Sequence, residues 1–547
     1  MVSAAEIDPQ TDPRPAARRS SFLDADRVAV WAVPALVALW VIVNAWPGLM
    51  PGVGFWDTGE FQAVLPVMGT AHPTGYPTYV LLGWVGNLLL APIGEPAYRV
   101  TALSLIAVAI AAAATVALVR RLTGSTIIAV AAGLGLATTS LVWTNATRAD
   151  PHAIHLAFVA LLLLALVRWA DGSTDGLDRR GIDRRLVLAA VVFGLAVGNH
   201  SLTLLLVPPI ALYVLAVEPG VLRRPRLIVG CLGAAAITIM LVFLELPIRG
   251  GLLPAPLVYG RPATWDGFWY IALAEQFRGS LSDVFGNLGD KVFGPEGVLA
   301  KGTLWFGPLL LAVPIAFIVS AIRAPRFTLL TGSAMVITLL FNQAYSNAEI
   351  ERYYLGPVLW VWVWLAILAA ELGAIAVRSL ATLLPVSKAA TAGVTSTGRR
   401  AEVVAAAIVA VVLLLPAINE LEDRRRLADR SRAFEAQAWL EEALPALEPN
   451  AVIVSWWSTS TPLWYAQKVE GLRPDIFIVD DRTMLDLNLG RAPNVIERFL
   501  AEGRPVYAIR IEGPDLNELK GQFDMTRVAS QGHTAVWKVN GYGVTLQ

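Results

Sequence analysis

Two carboxylates and a histidine-led turn stand close together near the start of the chain, in WDTGEFQAVLPVMGTAHPTGYP (56–77). Asp57 and Glu60 are three residues apart, so they share one face if the stretch is helical. His72-Pro73 and Gly75-Tyr76-Pro77 then force a turn. Paired acids beside an apolar span are costly unless something needs them, and what acids offer there is proton transfer. Other ionisable groups follow in widely separated stretches. Arg148, Asp150, His152 and His155 come from TRADPHAIH, Asn199 and His200 from a break between two apolar runs, and Glu245 and Arg249 from the end of another. Glu349, Glu351, Arg352 and Tyr353 come from NAEIERYY. An arginine beside tyrosines suits a phosphate, and His152 and His155 share a helix face that would suit a metal.

Each residue also has a plainer reading. Asp57 and Glu60 would serve a helix N-terminus, and His72 a turn satisfied by backbone. Asp150 fits the N-cap of a span starting near His152. Arg352 fits a snorkelling residue. Without a clear third ligand, ordinary hydrogen bonding is the better reading of His152 and His155.

The elements that would carry these groups are apolar. The 547 residues are 56% hydrophobic and 16% charged, with a mean hydropathy of +0.58, which indicates a polytopic membrane protein. Formal net charge is zero, so nothing argues for nucleic acid as a partner. The lone cysteine, Cys231, lies in an apolar run and permits no internal disulfide. Residues 1–27 read as a polar cytoplasmic tail without a cleavable signal. No organelle signal is evident, which points to a bacterial inner membrane.

Eleven apolar runs are expected to span: 28–46, 99–119, 125–143, 152–169, 186–198, 201–217, 228–247, 303–322, 327–343, 354–377 and 402–418. Segment 76–94 is also long enough, but the positive-inside rule decides against it. With 76–94 as an in-plane helix, the basic clusters fall on one side: Arg18/Arg19, Arg120/Arg121, Arg179/Arg180/Arg184/Arg185, Arg223/Arg224/Arg226, Arg323/Arg326 and Arg399/Arg400. The first limb of 186–217 has about a dozen residues, roughly 18 Å, too short to cross. The transmembrane domain is thus 28–418, with outer loops 47–98 and 248–302 and a short outer connection 144–151. The C-terminal part, 419–547, alternates strand candidates (451–456, 475–480, 505–510) with helical patterns, which predicts a small extracytoplasmic α/β domain. All the unusual polar groups then fall on the outer face.

These residues resemble the transmembrane-260-like family of GT-C-fold glycosyltransferases, related to protein O-mannosyltransferases. The first-loop pattern Asp57-x-Gly59-Glu60 followed by His72-Pro73-x-Gly75-Tyr76-Pro77 carries the resemblance. AYRVTALS (97–104), RADPHAIH, GLAVGNHSLTLLLVP (194–208), LELPIRG (244–250), RYYLGP (352–357) and PLWYAQKVEGLRPDIFIV (462–479) continue it in order. Two positions depart from the pattern: Asp150-Pro151-His152 replaces a Glu-Val-Tyr element, and Thr74 stands where proline is frequent.

The resemblance implies a membrane transferase that moves a sugar from a polyprenyl-phosphate donor to a hydroxyl of a protein or glycan, outside the cytoplasm. Protein O-mannosylation with inversion is the expected form. Asp57 is then the expected general base, supported by Glu60. Arg249 and Arg352, with Tyr353, His200 and Asn199, are expected at the donor phosphate. His72, Tyr76, Arg148, Asp150 and His155 are expected to support the acceptor side. The resemblance implies no cofactor and no metal, with a divalent cation as the less favoured alternative. The competing class is a transporter or flippase of lipid-linked sugars, which would explain the broken 186–217 hairpin; against it, no repeated halves are evident. A non-catalytic receptor would leave Asp57 and Glu60 idle.

Overall fold

The computed structural model describes residues 19–283, 285–383 and 394–543. Arg18 and most of the expected 1–27 tail lie outside the described residues. The first helix, α1, runs Arg19–Ala45, nine residues earlier than the apolar run begins.

A bundle of helices forms the body. After α1 come α2 (Trp56–Val67) and α3 (Pro77–Leu89), then α4 (Pro96–Thr123), α5 (Thr126–Thr138), α6 (Ser140–Ala146) and α7 (Pro151–Ala170). They are followed by α8 (Arg179–Asn199), α9 (Val207–Val217) and α10 (Pro225–Phe243). Among the described residues, eight helices are long and apolar enough to cross a membrane, or nine if the bent α5–α6 pair counts as one span. The helices sort by composition. α4 is rich in alanine, and small side chains let helix backbones approach closely, so 72% of its apolar window is buried. The window of Pro225–Leu252 is only 11% buried, which leaves Val229, Leu232, Ile237 and Met240 facing outward. Lipid is the medium that covers such a face.

Two expectations need correction. Run 125–143 is not one rod: it bends by 67° between α5 and α6, where Thr139 accepts the Trp362 indole N–H at 2.9 Å. The first limb of 186–217 is not short. Asp178 caps α8 by accepting the Gly181 N–H at 2.8 Å, and the helix has 21 residues, about 31 Å. Its charged first two turns hid this start from the hydropathy pattern. The limb does end where expected, at Asn199, and a 3-10 turn Ser201–Leu206 leads into α9. In segment 76–94 the helix is too short to cross. α3 has 13 residues, about 20 Å against about 30 Å of hydrocarbon.

The C-terminal part carries one five-stranded sheet, with β1 (Val452–Val454), β2 (Phe477–Val479), β3 (Val506–Ile509), β4 (Phe523–Ala529) and β5 (Val536–Tyr542) in the order β2-β1-β3-β5-β4. β2, β1 and β3 are parallel, pairing Val452 with both Phe477 and Val506, while β5 and β4 add antiparallel. The three parallel strands are the ones expected from sequence; the β4–β5 pair was not.

Two glycines shape the first loop. A Cβ on Gly59 would lie 2.1 Å from Gly54 O and 2.8 Å from Thr461 Oγ1. Gly59 therefore lets α2 press against its own entry loop and the helix Trp457–Lys468, seating the C-terminal domain on the first loop. Tyr465 adds a tie, its hydroxyl accepting the Ala97 N–H at 3.2 Å. Gly75 has φ +79°, and a Cβ there would meet Ile271 and Leu246 at 2.9 and 3.0 Å, so the turn after His72 needs glycine for both reasons.

Candidate active site

Asp57 lies in the first turn of α2, which follows the extended Phe55 and opens on the left-handed Trp56 (φ 57°). Its Oδ2 accepts from Arg352 Nη2 at 2.9 Å. Burial opposes the Asp57 charge, but the Arg352 guanidinium outweighs it and holds the carboxyl below its ordinary range. Arg352 also donates through Nη1 to Asp150 Oδ2 at 3.1 Å, and its Nε lies 3.1 Å from Glu349 Oε2. One guanidinium thus bridges residues 57, 150 and 349.

Asp150 is an N-cap and also a partner for a histidine ring. It caps α7 through the His152 N–H and accepts the His152 ring at Nδ1, both at 2.8 Å on Oδ1. Arg148 stands 3.5 Å from its Oδ2 and donates to Glu349 at 2.9 Å. Thr58, by donating to Ala149 O at 3.3 Å, holds this corner against α2.

Glu60 does not orient Asp57. It is 1% exposed and turns the other way, accepting the His72 N–H at 2.8 Å and pairing with His72 Nδ1. Tyr76 O–H meets His72 Nε2 at 3.2 Å. A buried carboxylate must find donors, and the turn supplies them. Burial works against a charged His72 ring, yet the Glu60 carboxylate outweighs it and raises the ring's affinity for a proton.

Several expected residues lie elsewhere. Arg249 donates to Met68 O (2.8 Å), Val67 O (3.1 Å) and Leu253 O (2.9 Å). It caps the carbonyl end of α2, where a cation is favoured, and does not face the cavity. Asn199 donates to Pro151 O at 3.0 Å, tying α8 to α7. His155 contacts Thr203 at 3.4 Å and lines a separate small void. Its ring centroid lies 5.7 Å from that of His200, and among the described residues no group of three or more His, Cys, Asp or Glu could hold a metal ion.

The remaining groups share a cavity of about 830 Å³. Asp57, His72, Tyr76, His152, His200, Arg352 and Tyr353 form its polar floor, and Leu202, Leu204, Leu205 and Phe341 one apolar wall. The loop 248–302 supplies Tyr259, Leu273 and Phe277, and the C-terminal domain supplies Trp457 and Asp481. These last residues escaped the sequence reading. The signal for Trp457 and Asp481 is positional: they follow the carboxyl ends of parallel β1 and β2, where α/β sheets bind ligands. Asp481 accepts the Trp457 N–H at 2.9 Å. The loop residues carry no comparable signal.

Residues 57–220 match the family model described as the N-terminal domain of protein O-mannosyl-transferase TMEM260, so the resemblance drawn from the first loop is borne out there. The protein O-mannosyl-transferase TMEM260 of Mus musculus is 26% identical over 474 residues, 84% of this chain. The chain spans 62% of the length of that curated relative. Among solved structures, ArnT from Cupriavidus metallidurans bound to undecaprenyl phosphate has a TM-score of 0.59 at 15% identity, over 95% of this chain and 99% of that one. The apo state of ArnT gives 0.56 at 15% identity, over 95% and 98%. This likeness shows the fold: a GT-C-like helical membrane domain followed by a small α/β domain.

Proposed function

We propose that this chain is a membrane glycosyltransferase that moves a sugar, of mannosyl type, from a polyprenyl-phosphate donor to a hydroxyl of a protein acceptor. The observation that carries the chemistry is the exposure of one acid. The side chain of Asp57 is 29% exposed, whereas those of Asp150 and Glu60 are 1% exposed. Of these three acids, Asp57 alone offers an open edge to the cavity. The relatives support the class: one is named a protein O-mannosyl-transferase, and another was solved with undecaprenyl phosphate bound.

The reaction uses the floor in one concerted displacement. The acceptor O–H breaks as its proton passes to Asp57, and its oxygen attacks the anomeric carbon. The bond from that carbon to the phosphate oxygen breaks on the opposite face, its electron pair leaving with the lipid phosphate, so configuration inverts. Protonation removes the Asp57 charge from Arg352, whose guanidinium is then less neutralised as the phosphate departs. Arg352 supplies positive charge between Asp57 and Asp150, and this reading assigns no step to a metal. The apolar wall at Leu202–Leu205 suits the prenyl chain.

The basic clusters support an orientation with the N-terminus cytoplasmic and the C-terminal domain outside. Convergence of groups from residues 57 to 353 on one end of the bundle favours a transferase over a flippase, which needs a polar path through the bilayer. The test is transfer of labelled mannose from polyprenyl-phosphate mannose to membrane proteins. Wild type should transfer and Asp57→Asn should not; no transfer by wild type from any polyprenyl-phosphate sugar would overturn the reading.

A further inference from the structure

His152 and His200 line the same cavity, are 3% and 4% exposed, and stand with ring centroids 4.5 Å apart. Neither Nε2 atom has a hydrogen-bond partner among the described residues. Two orphaned polar atoms on neighbouring rings are costly in an empty site, and such a pair points to a ligand that satisfies both.

Their other nitrogens say which ligand. Asp150 is an acceptor, so His152 Nδ1, at 2.8 Å from it, carries the proton. His152 is 3% exposed, and burial favours the neutral imidazole over a charged ring. Its Nε2 is therefore a lone pair. His200 is wired the opposite way: its Nδ1 accepts the Leu202 N–H at 3.2 Å, so the ring proton sits on Nε2. The pair thus presents one acceptor and one donor. A phosphate diester offers only acceptors and would meet the His152 lone pair unfavourably. A hydroxyl offers both, donating to His152 and accepting from His200. The surroundings suit a sugar ring, since Tyr353 lies 5.2 and 5.7 Å from the two imidazoles and Tyr76 5.5 Å from His200.

We infer that His152 and His200 form a hydroxyl clamp for the sugar of the donor and help decide which sugar is taken. The inference rests on the transferase reading and moves His200 from the phosphate, where sequence had placed it, to the sugar. Asp150 then gains a positioning role, fixing the His152 tautomer while Arg352 connects it to Asp57.

The test separates sugar from phosphate by binding, independently of turnover. Full-length protein in nanodiscs is titrated with a short-chain polyprenyl-phosphate mannose and with the same polyprenyl phosphate lacking sugar. His152→Asn and His200→Asn keep a polar atom near the Nδ1 position and delete Nε2. Each should weaken the mannosyl lipid by 10- to 100-fold, the range set by one or two lost hydrogen bonds, and leave the sugar-free lipid within about twofold. Equal weakening of both ligands would make this a phosphate site, and no change in either would make the pair structural; both outcomes overturn the clamp. Should a variant fail to fold, wild type is titrated with monodeoxymannosyl lipids. One position should then lose about tenfold or more, and uniform affinity across all positions would overturn the clamp. Absence of transfer by wild type would defeat the transferase reading while these binding ratios still decide the clamp.

Discussion

The Glu60–His72 pair and the Asp150–His152 pair are built from the same groups, yet the first uses every polar atom it has and the second does not. Glu60 takes both the backbone and ring N–H of His72, and Tyr76 O–H meets the remaining ring nitrogen. That circuit closes on the turn 72–76. Asp150 takes the same two donors from His152, but its other oxygen runs through Arg352 to Asp57, and His152 Nε2 is left over. A closed pair fixes a loop, whereas an open pair faces a ligand. The difference lies in connectivity, because residue type and burial are nearly the same.

Breaking the open pair should have the largest effect. Arg352→Gln leaves the buried Asp150 and the half-buried Asp57 without the cation they share, a loss of roughly 3–5 kcal/mol for a broken buried pair. Thermal unfolding in detergent should show a large fall in Tm, and transfer should be lost even in the folded fraction. Next is the seat of α2. Gly59→Ala places a methyl 2.1 Å from Gly54 O, so the loop must shift, at about 1–3 kcal/mol, with transfer falling because Asp57 moves too.

The closed pair should separate stability from chemistry. Glu60→Gln should cost about 1–3 kcal/mol of stability while donor affinity changes little. It also carries a pH signature. The folded His72 pKa is raised, so its stabilisation is fully present below the unfolded value of about 6.5 and is lost as pH rises through the folded value. Wild-type Tm should therefore decline upward from about pH 6.5, and Glu60→Gln should flatten that decline. The smallest effect is expected at Arg249→Met, which removes the carbonyl cap of α2 at about 0.5–1 kcal/mol without touching the cavity. A loss of donor binding in Arg249→Met as large as in Arg352→Gln would restore Arg249 to the phosphate site.

Much of the candidate site was legible in the sequence because its first part is local. The carboxylates, the proline turn and the two glycines lie within about twenty residues, and each has a backbone reason for its place. Arg249 was misplaced because an arginine ending an apolar span resembles a phosphate ligand. What occupies it is the carbonyl end of α2, and that partnership depends on packing across 182 residues. The pairing of Glu60 with His72 was equally invisible, since face-sharing with Asp57 along a helix says nothing about which neighbour satisfies a buried acid. For the fold, long apolar runs found their helices, while charged turns concealed the start of α8. The β4–β5 hairpin escaped because β4 is largely exposed, with mixed polar residues on an edge strand.

The central claim is that Asp57 removes the acceptor proton. It is tested most directly by single-turnover transfer from saturating polyprenyl-phosphate mannose, with donor binding measured on the same preparations of wild type and Asp57→Asn. The prediction is donor affinity within a few-fold of wild type and a transfer rate lower by about 10²–10⁴, the usual worth of a general base. Transfer at the wild-type rate by folded, donor-bound Asp57→Asn would contradict it.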